Sequence, residues 1–152
     1  MSVDKSNQNN DALPKTLGLI EDVTLVDDAK EVVSEEGSGV KNAQISGLLT
    51  AVRASLSYDV LRRMTQHQMA KARNDGDRSR LQAAFYDRLF KALKKVEQYA
   101  ADFVKDSETS EEIDASKIKK VNKEKKKRLS GRLALTLMTH VAAEHQWSRR
   151  NK

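Results

Sequence analysis

The sequence predicts an all-α protein, a compact bundle of four to five helices behind a disordered acidic N-terminal tail. Three observations carry that reading. From Asn42 onward, apolar residues recur at spacings of three and four, the period of a helix buried on one face. Aromatic residues make up 5% of the chain and proline occurs once, which favours helices over a sheet sandwich. Residues 1–40 hold nine acids against three bases, a balance of −6, whereas the whole chain is +6. Residues 41–152 therefore carry 25 bases against 13 acids, or +12. The division expected from this is an acidic tail or linker over 1–40 and a basic helical domain over 41–152.

The elements follow in order. Residues 1–16 are polar and rich in Asn and Ser, the composition of a disordered segment. Residues 17–33 carry scattered aliphatics (Leu17, Ile20, Leu25, Val32 among them) compatible with a short strand, a weak helix or a docking peptide. Ser34 to Gly39 reads as a linker and sets the expected domain boundary. Ile45, Leu48, Leu49, Val52 and Leu56 then mark a first helix. Continued unbroken, it would turn Arg63 onto the apolar stripe, so a break is expected at 55–57 with Ser57 as N-cap and Asp59 in the next first turn. Val60, Leu61, Met64 and Ala70 mark the second helix, and Asn74 to Asp77 a turn. The third helix is the most regular: Leu81, Phe85, Leu89, Leu93, Val96, Ala100, Phe103 and Val104 share one face, with Arg78, Arg88, Lys91, Lys94 and Lys95 opposite. Residues 106–114 break the pattern, and Thr109 with Glu112 has capping-box spacing. A last helix begins near Ser116 and runs through Ile118, Val121, Leu129, Leu133, Leu137, Val141 and His145, with Gly131 expected to kink or split it.

Composition narrows the function classes. The chain has no cysteine, so disulfides, thiolate metal sites and cysteine nucleophiles are excluded. Its start shows no base-preceded apolar run, and no stretch of 18 apolar residues is present, so neither a signal peptide nor a membrane span is expected. A cytoplasmic location follows as the expectation. His67, His140 and His145 are not spaced as a helical metal clamp, and no glycine-rich phosphate loop follows a strand. The acid pairs Asp27-Asp28 and Glu35-Glu36 fall in the tail, where a solvated carboxylate has no dry cleft to tune it. The expectation is a non-enzyme with no cofactor and no metal.

Candidate binding residues are basic. Lys117, Lys119, Lys120, Lys123, Lys125, Lys126, Lys127 and Arg128 put eight cations in twelve residues, opposed only by Glu124. Like charges one helical turn apart repel, and phosphates relieve that repulsion while releasing counterions. Arg132 lies one turn further on. A second group, Arg53, Arg62, Arg63, Lys71, Arg73, Arg78 and Arg80, is richer in arginine, whose fork suits phosphate oxygens. The alternative for both groups is a solvated face or ordinary ion pairing with Asp59, Asp75 and Asp77. Trp147, beside Arg149 and Arg150, is expected to pack on the core rather than to stack on an unpaired base.

The segment Asn42–Arg73, the long helix Leu81–Val104 and the basic helical carboxy end together resemble the small subunit of type I and type III CRISPR effector complexes. The likeness covers most of residues 42–150 and lies in segment order, size and charge, with Gln44-Ile45 at a helix opening and Gln68 with Arg73 at a helix end. It implies a non-catalytic subunit that stacks with copies of itself and with other subunits of the complex. Such a subunit holds guide RNA and target, or the displaced strand, through phosphates. Two other readings stand beside it: a free-standing helical DNA-binding protein, with residues 43–63 forced into a helix-turn-helix that lacks the usual turn glycine, and a protein-interaction adaptor with 17–33 as docking peptide. A −6 head folding onto the +12 body and competing with nucleic acid is a further expectation.

Overall fold

A computed structural model describes residues 17–34, 39–74, 80–106 and 115–150, the side chains of 106, 115–120 and 148–150 excepted. The described residues form an all-α bundle. Helix α1 spans 17–33 and contains a π-helical stretch, Ile20–Thr24, ahead of the regular turns Leu25–Val33. It is followed by α2 (Asn42–Ser55), α3 (Tyr58–Asn74), α4 (Arg80–Asp106) and α5 (Ala115–Arg150). The 36-residue α5 is the spine and touches each of the other four helices, while α3 packs along α4.

The largest departure from expectation is α1. Residues 17–33 are not a tail or a docking peptide but part of the core, with Ile20, Leu25, Ala29, Val32 and Val33 buried. The expected boundary at 34–39 is a connection inside the bundle, entered at Ser34 (φ 62°) and left at Gly39 (φ 65°). The reason is one of period. Ile20 and Leu25 are five residues apart, and the π turn between them brings both to the same face, which a 3.6-residue pattern cannot do. Residues 1–16, where disorder is expected, lie outside the described residues, as do 35–38.

Polar contacts fix α1 as firmly as packing does. The Glu21 carboxylate accepts from Arg132 Nε (3.2 Å) and Nη2 (2.9 Å) and from the Thr136 hydroxyl (2.7 Å). His140 Nε2 donates to the Glu21 carbonyl at 2.8 Å, which sets its tautomer. Across α4, the Tyr99 hydroxyl donates to Asp28 at 2.8 Å, and Lys95 pairs with Asp28 and Glu31. Arg88, expected on the solvent face, is half-buried, and its Nε donates to the Val32 carbonyl at 2.9 Å near the end of α1.

The remaining helices follow the sequence pattern closely. Ile45, Leu48 and Val52 are the buried positions of α2, and Lys41 N–H donates to the Gln44 side chain at 2.8 Å at its start. The break falls where expected: Leu56 is left-handed (φ 49°, ψ 35°), and Ser57 Oγ accepts the Val60 N–H at 3.2 Å as an N-cap. In α3 the core face is Tyr58, Leu61, Thr65 and Ala72, whereas Val60 and Ala70 are exposed. Tyr58 reaches across to donate to the Leu93 carbonyl at 2.9 Å. In α4, Phe85, Leu89, Leu93, Val96, Ala100 and Val104 are buried as expected, joined by Tyr86 and Ala92, while Leu81 is exposed. The 74–77 turn beyond Asn74 and the Thr109–Glu112 capping box lie outside the described residues.

Gly131 does not split α5, which is helical from 115 to 150. Its role is one of approach. A Cβ built there would stand 2.0 Å from the Leu56 carbonyl oxygen, so only glycine admits the α2–α3 turn against the spine.

Candidate nucleic-acid interface

The basic run of α5, Lys117 to Arg128, lies before the helix enters the core at Ser130. Lys123, Lys125, Lys127 and Arg128 are exposed and Lys126 is half-exposed. Their side chains face two depressions. On one side is a cleft of about 770 Å³ between Lys123, Lys126, Lys127 and Arg128 and the α2–α3 turn, Ser55 to Asp59, with Glu97 of α4 closing it. On the other is a groove of about 400 Å³ floored by Phe103, Val104 and Leu129 and rimmed by Lys125, Arg128 and Arg132. Residue spacing produces this two-sidedness, since consecutive cations on a helix point about 100° apart.

The first cleft is mixed in charge. Four cations face Asp59, Glu97 and Glu124. Asp59 is held by Arg62 at 3.6 Å. Burial and then the charge of Glu97 push the Tyr58 hydroxyl up to about 12, so it stays a neutral donor throughout the physiological range. The amino end of α3, with its partial positive charge, opens on the same space. What the lining offers is therefore ionic contact and hydrogen bonding from hydroxyls and ammonium groups.

Among the described residues, Lys123, Lys125, Lys126, Lys127 and Arg128 make no ion pair, and neither do Arg53, Arg63 and Lys71. Arg63 and Lys71 lie with Val60 and His67 on one exposed stripe of α3, at helical spacings of three and four. Arg62 and Arg73 are partnered, by Asp59 and by Asp87 at 3.8 Å. Such exposed pairs are worth little and yield readily to a stronger anion. Lys119 and Lys120 are on α5, but their side chains, and all of Arg78, lie outside the description.

Arg132, a candidate phosphate contact, is engaged in a two-pronged pair with Glu21; burial pushes that carboxyl up, and the hydrogen bonds from Arg132 and Thr136 outweigh it and hold the group below its usual range. The acidic helix docks on the second half of α5 and takes up this arginine. Trp147 is a correction: its side chain is 56% exposed, not packed in the core. It stands sixteen residues along α5 from Gly131, far from the basic cleft.

Residues that the sequence reading did not select also line the cleft. Leu56, Ser57 and Glu97 came into view only through the turn geometry, because Leu56 reads as one more apolar helix position. Among the described residues no group of three or more His, Asp or Glu side chains is placed to hold a metal ion. His140 and His145 each donate to a main-chain carbonyl, of Glu21 and Val40. No described helix is long and apolar enough to cross a membrane. Comparisons with protein-family models, with curated proteins and with solved structures return no match for this chain.

Proposed function

We propose that this chain is a non-catalytic, nucleic-acid-binding subunit of a ribonucleoprotein complex, holding a strand through sequence-independent phosphate contacts. The observation that carries the reading is the set of cations without a carboxylate partner among the described residues, Lys123, Lys125, Lys126, Lys127 and Arg128, beside an open cleft. The same chain pairs Arg132, Lys95 and Arg73 internally, so five neighbouring cations over 123–128 with no ion pair among the described residues are a repulsive arrangement that a polyanion relieves. Arg53, Arg63 and Lys71 extend the surface along α2 and α3. The resemblance in segment order and charge to the small subunit of CRISPR effector complexes fits this role. It suggests guide or target strand as ligand, other subunits and further copies of the chain as partners, and the cytoplasm as the setting.

The adaptor reading loses its docking peptide, because residues 17–33 are packed in the core. The test of the proposal is fluorescence anisotropy of the full chain on labelled single-stranded RNA, single-stranded DNA and an RNA–DNA hybrid across a salt series. Binding that falls steeply with salt and varies little with sequence supports it, and the slope counts the phosphates engaged. No binding to any of the three at about 50 mM salt overturns it. Protection of one specific duplex site in footprinting favours the free-standing DNA-binding protein instead.

A further inference from the structure

Leu56 sits in a conformation that suits glycine. Its φ of 49° and ψ of 35° are left-handed, where a side chain crowds its own carbonyl. Helices that end this way take glycine or asparagine far more often than leucine. Burial does not compensate, since the Leu56 side chain is 57% exposed. The backbone beneath it is held firmly: Leu56 N–H donates to the Val52 carbonyl at 2.7 Å, and its carbonyl lies against Gly131, where no side chain would fit. An exposed, strained leucine is thus presented on a rigid turn.

Its surroundings say what it is presented to. Leu56 lines the cleft walled by Lys123, Lys126, Lys127 and Arg128. The carboxylates there are Asp59, already paired with Arg62, and Glu97 and Glu124. Beyond it, exposed Val60 leads onto the stripe of Arg63 and Lys71 on α3. An apolar protrusion between two sets of cations with no ion pair among the described residues matches a ligand that alternates anionic groups with flat apolar ones, as a single nucleic-acid strand alternates phosphates with bases.

We infer that Leu56 is an apolar ledge on which a base of the bound single strand packs while the flanking cations hold its phosphates. The inference rests on the nucleic-acid reading and adds a contact to the bases that is blind to sequence.

The experiment compares the full chain with its Leu56→Gly variant on two labelled strands of about fifteen nucleotides, a length typical of a single-strand site. One is oligo-thymidylate and the other an abasic strand of equal length, which keeps the phosphates and lacks the bases. The wild type binds the base-bearing strand about threefold more tightly, less than a base stacked on an aromatic ring contributes because leucine offers only apolar contact. Leu56→Gly brings that ratio close to one and leaves the abasic affinity unchanged. Glycine suits the backbone here, so thermal stability is expected to hold or rise, and Val60→Ala serves as a second variant outside the strained turn. A ratio in Leu56→Gly equal to that of the wild type overturns the ledge while leaving phosphate binding intact. So does a wild type that does not distinguish the two strands. Absence of binding to both strands at low salt overturns the nucleic-acid reading itself.

Discussion

Helix α5 is one continuous rod with two unlike halves. Residues 121–128 expose their side chains to water almost throughout and carry five bases against Glu124. From Ser130 to His145 the same helix is core, with Leu133, Ala134, Leu137, Met138 and Val141 fully buried. The second half also takes the acidic helix α1 and satisfies its charge, Arg132 on Glu21. Arg128 and Arg132 are one turn apart and look equivalent in the sequence, yet one is free of ion pairs among the described residues and the other is bound twice over. The difference teaches that equal charges one turn apart in the sequence can differ in whether the fold already supplies them with a partner.

The junction of the halves is where the comparison breaks most easily. Gly131→Ala places a methyl carbon 2.0 Å from the Leu56 carbonyl, which cannot move without disturbing the α2–α3 turn. The expected loss is about 3 kcal/mol, at the upper end for overpacking, and urea denaturation measures it. In the core half, Glu21→Gln removes the charge that Arg132 and Thr136 serve, for a loss of about 1–3 kcal/mol. The sign with pH is fixed by the lowered Glu21 carboxyl. Its contribution is complete above the unfolded value of 4.5 and disappears as pH falls through the lower folded value, so the gap between wild type and variant closes in acid.

The basic half responds oppositely. Exchanging Lys123, Lys126 and Lys127 for glutamine is expected to leave stability within about 0.5 kcal/mol of the wild type, because no ion pair among the described residues is lost. Binding to a single strand should weaken and its salt slope shrink by about 2, from about 0.7 per phosphate contact. The smallest effect is at Asp28, whose carboxyl is raised, chiefly by burial, against the hydrogen bond from Tyr99. A raised carboxyl favours the folded state in full below its unfolded value of 3.8, and that advantage is lost as pH rises through the higher folded value. Asp28→Asn therefore equals or exceeds wild-type stability at neutral pH, and the difference narrows toward pH 3 in thermal melts, about one unit below the unfolded value. Glu21 and Asp28, seven residues apart on α1, thus respond to acid in opposite directions.

Helices α2 to α5 were legible because each keeps a single 3.6-residue period, and the α2–α3 break was legible because Arg63 would otherwise face the core. Helix α1 was not, since its acidic surface suggests a solvated tail and the π turn shifts its apolar positions out of register between Ile20 and Leu25. For the candidate site, the basic run of α5 is plain in the sequence. Which of its cations are free is not, because the partner of Arg132 lies 111 residues away. The Leu56 ledge was hidden for a different reason: a left-handed residue is a property of the turn, and nothing in the letters around a leucine announces it.

The distance between α1 and its seat has a kinetic consequence. Glu21 meets Arg132 and His140 across 111 and 119 residues of chain. The α2–α3 and α3–α4 pairs are neighbours in sequence and close first, whereas the place for α1 exists only once the second half of α5 has formed. Helix α1 precedes the other four in the chain and is thus expected to dock last, its apolar stripe waiting until α5 is made. In refolding followed by pulsed hydrogen exchange, the amides of Leu25–Val33 should be the last to gain protection, after those of α3 and α4.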